Sequence, residues 1–181
     1  MAILTFSEMR AYAGTRRYSS LSEARTFENS IAKSAGTKPK IFISHAHAHA
    51  TRQEVLNAIN FLNKMGSESY VDWLDPQMPT TTSGETALAL RSKITTCNKF
   101  ILLLTPEALA SRWVSWELGY ADAKKGLDDI ALLPVRHEGE SFPGNEYLRI
   151  YPAIKTAVSQ NIAVFPANED QGVKFVDWLT T

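Results

Sequence analysis

From Lys40 onward the chain repeats one pattern, a short apolar run followed by a loop and then a stretch whose apolar residues recur at helical spacing. The runs are Lys40–Ser44, Ser69–Trp73, Lys99–Leu104, Ile130–Val135 and Ile162–Phe165. Helical spacing follows in Gln53–Met65, where Val55, Ile59 and Leu62 share one face and Gly66 is the stop signal. It returns in Gly84–Thr96, in the segment that carries Glu117, and in Asp170–Leu179. About five such alternations over roughly 140 residues predict a parallel sheet with helices on both faces. In sheets of this kind a ligand sits beyond the carboxyl ends of the strands, near a reversal in strand order. The segments that fall there are 44–51, 73–83 and 105–113, and they hold most of the unusual residues of the sequence.

The 181 residues, 44% of them hydrophobic, suffice for one domain with a sizeable core. A boundary falls near Ala35–Pro39 and separates an N-terminal extension, residues 1–36, from the domain at 38–181. Within the extension, Ser20-Leu-Ser-Glu23 reads as a capping box. Leu21, Ala24, Phe27 or Glu28, and Ile31 then trace a helix that ends near Ser34. Nineteen basic and nineteen acidic residues balance to zero net charge, which is not the footprint of a nucleic-acid binder. The single cysteine, Cys97, excludes an intrachain disulfide and a multi-cysteine zinc site. No apolar run approaches the roughly 18–20 residues that span a bilayer, and the first ten residues lack a signal-peptide pattern. These features predict a cytoplasmic protein that engages no membrane.

Three groups of residues could carry chemistry. Ser44-His-Ala-His-Ala-His49 sets histidines at a strand end, as in metal-dependent hydrolases. However, His137 is the only other histidine and no Asp follows the second one, so the sequence is read without a metal. His47 and His49 are taken as a small polar loop, and His45, nearest the strand, as a ligand contact. The second group is Trp73 with the loop Leu74–Ser83, stiffened by Pro76 and Pro79, which could line a pocket or simply turn the chain. Neither the dinucleotide fingerprint nor the Walker lysine loop occurs. The third group is Trp113-Val-Ser-Trp-Glu117, where a large aromatic surface and a carboxylate lie one helical turn apart. No Lys or Arg stands three or four residues from Glu117 to pair with it. Chemistry at a sugar carbon bearing a leaving group uses such a pair, the acid to hold hydroxyls and steady positive charge, the ring to orient. The same spacing also fits core tryptophans with Glu117 capping a buried donor.

Phe42-Ile-Ser-His45, Tyr70-Val-Asp-Trp73, the run Cys97–Thr105 and Ser111-Arg-Trp-Val-Ser-Trp-Glu-Leu-Gly-Tyr-Ala121 occur in that order. Together they resemble successive motifs of the TIR (Toll/interleukin-1 receptor) domain, over about Lys38 to Leu179, and are closest in character to the bacterial proteins of Thoeris-type antiphage systems. The resemblance implies a flavodoxin-like three-layer α/β domain with a five-stranded parallel sheet. It implies cleavage of the nicotinamide–ribose bond of NAD, with NAD as substrate and no cofactor. Glu117 is then the catalytic carboxylate, and Phe42, Ser44, His45, Trp73 and Trp113 contact NAD. The product is ADP-ribose, a cyclic isomer or a conjugate, sensed by a downstream effector, and the chains self-associate through their TIR domains. An acidic residue often follows the first strand in such proteins, whereas here that stretch reads Ala46-His-Ala-His-Ala50. Two other classes remain: a TIR adaptor without turnover, and an enzyme similar to nucleoside deoxyribosyltransferases.

Overall fold

The computed structural model describes residues 2–14, 38–47, 52–79, 83–139, 146–158 and 161–181. The helix expected over residues 20–34 and the histidine at position 49 lie outside them. The central sheet is built from β2 (Lys40–Ser44), β3 (Glu68–Tyr70), β4 (Lys99–Leu104), β5 (Ile130–Arg136), β6 (Ala153–Thr156), β7 (Ile162–Phe165) and β8 (Val173–Lys174). Their spatial order is β3-β2-β4-β5-β6-β7-β8. The pairs from β3 through β6 are parallel, and β6–β7 and β7–β8 are antiparallel. A short β1 (Leu4–Thr5) runs parallel to the end of β5, with Leu4 opposite Val135.

Both faces of this sheet are covered, so its strands are apolar almost throughout. On one face Ile41, Ile43, Ile101, Leu103, Leu133 and Val135 pack against α1 (Phe6–Ala13), α2 (Arg52–Lys64) and the short α6 (Phe175–Trp178). On the other, Phe42, Phe100, Leu102 and Leu132 meet α3 (Gly84–Thr96), α4 (Pro106–Ala110) and α5 (Arg112–Lys125). The second core is organised by an aromatic row. Phe42 lies in register with Tyr70 and Phe100 on its two neighbouring strands, each ring centroid 5.6 Å from its own. Among the described residues no helix is long and apolar enough to cross a membrane.

Local chemistry fixes the helix ends. Ser83 and Thr86 form a reciprocal cap at the start of α3. Thr105 caps α4 with Pro106 in its first turn, so the Thr-Pro break starts a helix, and Ser111 then caps α5 by accepting from the Val114 amide. Gly66, at φ 105°, ends α2 where the sequence places its stop.

Four departures from the sequence reading have physical causes. The second strand stops at Tyr70, and Asp72–Leu74 form a 3-10 turn closed by Leu74 N–H to Val71 O and Asp75 N–H to Asp72 O. Ala153–Thr156 is a strand that the sequence hides, because only Ile154 of its four residues is fully buried. The segment 162–165 is therefore an antiparallel neighbour of β6 and not the fifth parallel strand. The helix expected over 170–179 is a single turn, since Val173–Lys174 pair with β7 instead.

Gly172 makes that last pairing possible: a Cβ there would stand 2.8 Å from the Phe165 ring and 2.9 Å from the Val164 carbonyl oxygen. Gly172→Ala is expected to cost about 1–3 kcal/mol, the usual penalty for overpacking. Urea denaturation measures this, and an unchanged midpoint would show that β8 shifts freely.

Candidate active site

The strand order reverses around β2, which has β3 on one side and β4 on the other. The crevice at the carboxyl end of β2 is therefore where a doubly wound sheet binds ligands. Alternation along β2 sends Phe42 and Ser44 to the α5 side and Ile43 to the α2 side. Ser44 is the first polar residue to follow the aromatic row, and α5 presents Glu117 to it.

Glu117 occupies a core position of its helix. The buried residues of α5 are Val114, Glu117, Leu118 and Ala121, one apolar stripe with a carboxylate set into it. Its partner comes from 73 residues away: Ser44 Oγ donates to Glu117 Oε2 at 2.5 Å. Only 3% of Glu117 is exposed, and burial pushes its pKa up to about 8. The Ser44 hydrogen bond opposes that rise, the negative charge of Asp72 adds to it, and His47 lowers it. Burial therefore holds this carboxyl toward its protonated form in the free protein.

A second polar group adjoins the first. The 3-10 turn after β3 buries Asp72, and the chain leaving β2 brings two histidines to it: His47 Nε2 at 3.1 Å from Oδ2 and His45 Nε2 at 3.9 Å from Oδ1. The imidazole rings stack 5.0 Å apart. Burial drives the His45 pKa down to about 4 against the pull of Asp72, so this ring is neutral. His47, half exposed, is held above its ordinary value, first by its hydrogen bond to Asp72. Burial works to raise the Asp72 pKa, but the His47 hydrogen bond and both imidazoles outweigh it and hold the carboxyl below its usual range. Trp73 sets its edge against His45 at 6.4 Å and carries the Arg52 guanidinium over its ring at 5.6 Å. Beyond it, Asp75 accepts from the Tyr70 hydroxyl at 2.9 Å and pairs with Lys93 at 2.8 Å, which anchors the proline loop.

The residues singled out from sequence are distributed unevenly. Ser44 and Glu117 are in direct contact, and His45 and Trp73 touch each other beside them. Trp113 is one turn before Glu117, in T-shaped contact with Trp116, and with Ala87 and Arg112 the two line a shallow apolar recess of about 240 Å³. The Phe42 ring is wholly inside the core. His137 is elsewhere, paired with Glu54 at 3.2 Å and packed on Phe6. Sequence reasoning missed Asp72. Its signal was an acid lodged between Val71 and Trp73 at the end of an apolar run, and it brings a carboxylate to the place where the stretch after β2 has none.

Such a site suits a reaction that develops positive charge. A buried carboxyl fixed by one hydrogen bond, with aromatic surface nearby and little water, stabilises a cationic transition state far better than a solvated acid does. Its oxygens also suit the hydroxyls of a sugar.

Comparison with known proteins gives two results. The TIR domain family matches residues 41–171. A protein of Bacillus cereus (strain MSX-D12), "Probable 3' cyclic ADP-D-ribose synthase ThsB'", is 32% identical over 147 residues, covering 77% of this chain and 74% of the relative.

The burial of Glu117 predicts a pH-dependent stability difference. Its pKa in the folded chain, about 8, lies above the ordinary 4.5. Its contribution is therefore complete below 4.5 and lost as pH rises through 8. Glu117→Gln, which keeps an acceptor for Ser44, is expected to match the wild type near pH 4.5 and to exceed it by about 2–5 kcal/mol at pH 9. Denaturant titrations at the two pH values check this, and equal differences at both would mean that Glu117 titrates as an ordinary carboxyl.

Proposed function

The chain belongs to the TIR domain family, and from that premise we propose that it cleaves the nicotinamide–ribose bond of NAD with Glu117 as the catalytic carboxylate. The observation that carries this reading is the buried Ser44–Glu117 pair at the strand-order reversal. The name of the Bacillus cereus relative, a probable 3' cyclic ADP-D-ribose synthase, supports a reaction that yields an ADP-ribose product.

In this reading NAD places its nicotinamide ribose against Glu117. The cationic pyridinium favours the ionised carboxylate, which accepts hydrogen bonds from the ribose hydroxyls. As the glycosidic bond breaks, its electron pair leaves with nicotinamide, and the ribose carbon becomes oxocarbenium-like, stabilised by the carboxylate. Ser44 is a positioning residue that holds the Glu117 side chain in one rotamer. Trp73 and Trp113 supply flat surface for the rings, His45 contributes from the strand end, and Phe42 acts from below by fixing the end of β2.

The acceptor decides the product. Water gives ADP-ribose and a proton, a hydroxyl or the adenine of the same molecule gives a cyclic isomer and a proton, and an added nucleophile gives a conjugate. The relative's name favours a ribose hydroxyl. The product then serves as a signal in antiphage defence, read in the cytoplasm by a separate effector, and TIR–TIR assembly governs when the site is active.

Mass spectrometry of NAD incubated with the chain, with and without a crowding agent that promotes assembly, identifies the product. Glu117→Ala is expected to lower nicotinamide release at least about 100-fold while circular dichroism stays native. A folded Glu117→Ala protein that releases nicotinamide at the wild-type rate overturns the assignment. Because the ionised form is the active one, kcat/KM should rise with pH through an apparent pKa near 8.

A further inference from the structure

We propose that His45, His47 and Asp72 form a binding site for one divalent transition-metal ion of the zinc class. Two imidazole nitrogens and one carboxylate oxygen are the donors such ions take, and three protein donors leave a position open.

The three side chains converge on one spot. All three ligand atoms lie within 4.8 Å of one another. The His47 Nε2–Asp72 Oδ2 separation is 3.1 Å and the His45 Nε2–Asp72 Oδ1 separation is 3.9 Å. Ligands about 2.0–2.1 Å from a tetrahedral zinc stand about 3.3 Å apart, so loading the site draws its widest-spaced ligand pair together by up to roughly 1.5 Å. The stacked rings already place both Nε2 atoms toward the carboxylate.

Hydrogen bonding points the same way. His45 Nδ1 lies 3.4 Å from the Ile43 carbonyl oxygen, and a nitrogen facing a carbonyl carries the proton. In the neutral ring Nε2 is then a lone pair. It faces Asp72 Oδ1, an oxygen buried without a hydrogen-bond partner among the described residues. His45 is 4% exposed and Asp72 5%, so two acceptors confront each other with almost no solvent to separate them. Such an arrangement is costly unless something positive lies between them. A bound cation satisfies both, and the Ile43 carbonyl is the backing partner that metal-bound histidines characteristically have.

The cluster adjoins the Ser44–Glu117 pair but takes no ligand from it. Ser44 faces α5, whereas His45 turns to Trp73 and the end of β3. A metal there ties the segment 45–47 to Asp72 and so fixes the wall of the crevice.

The test uses the untagged chain of residues 1–181, stripped with a chelator and titrated with Co²⁺ in the absence of NAD. One equivalent is expected to bind with visible d–d absorption and to be displaced by Zn²⁺. His47→Ala, a change at a half-exposed side chain, and Asp72→Asn should each weaken binding at least tenfold, and His137→Ala should leave it unchanged. The absence of saturable binding, wild-type affinity in His47→Ala, or loss of binding in His137→Ala each overturns the proposal. If Asp72→Asn loses its native circular dichroism, His47→Ala decides alone. The readout is independent of NAD chemistry, so its failure leaves the catalytic reading intact.

Discussion

β2 is paired on both edges and covered on both faces, and this confinement dictates the rest of the structure. A strand so enclosed must divide its side chains between two cores. Ile41 and Ile43 serve one, and Phe42 serves the other by stacking between Tyr70 and Phe100. The first polar residue of the strand, Ser44, therefore emerges where the aromatic row ends. It has no freedom to point anywhere but toward α5. The buried stripe of α5 supplies Glu117 at that spot, so a contact spanning 73 residues follows from strand alternation and helix periodicity.

The same strand end keeps two acids in opposite states. Asp72 is buried among imidazoles and held ionised, while Glu117 is buried among apolar groups and held protonated. Each negative charge at one raises the cost of charging the other, so the pair divides naturally into a fixed anion and a switchable one. His47 stands between these roles, lowering Glu117 while it bonds Asp72. Environment rather than residue type thus assigns the parts.

Much of this architecture could be read from the chain. Lys40–Ser44, Gly84–Thr96 and Lys99–Leu104 form the expected elements with the expected bounds, because in each the local pattern and the tertiary environment agree, whereas Ile162–Phe165 keeps its bounds as a strand but pairs antiparallel. The isolation of Glu117 from any local cation was also visible, and it reflects true burial. Other features depended on pairing that no local pattern encodes. β6 buries a single residue fully, and β8 exists because β7 offers it an edge. Asp72 looked like a strand residue until the turn at 72–74 rotated it inward. The histidine cluster was hidden for the same reason: its third member lies in the turn that follows another strand, and sequence spacing cannot show what two strand ends share.

The pairing of β1 with β5 has a consequence for the order in which the molecule takes shape. Leu4 and Thr5 lie against Val135 and Arg136, and Ser7 donates to Glu138 across 131 positions of chain. Phe6 and Met9, buried in the α2-side core, have no complete surface to rest on until those later residues exist. During synthesis at about 5–20 residues per second, that interval is on the order of ten seconds. Throughout it, an apolar segment made early can rest on α2 but lacks its strand partner, so the newborn chain keeps part of an adhesive patch that only β5 covers.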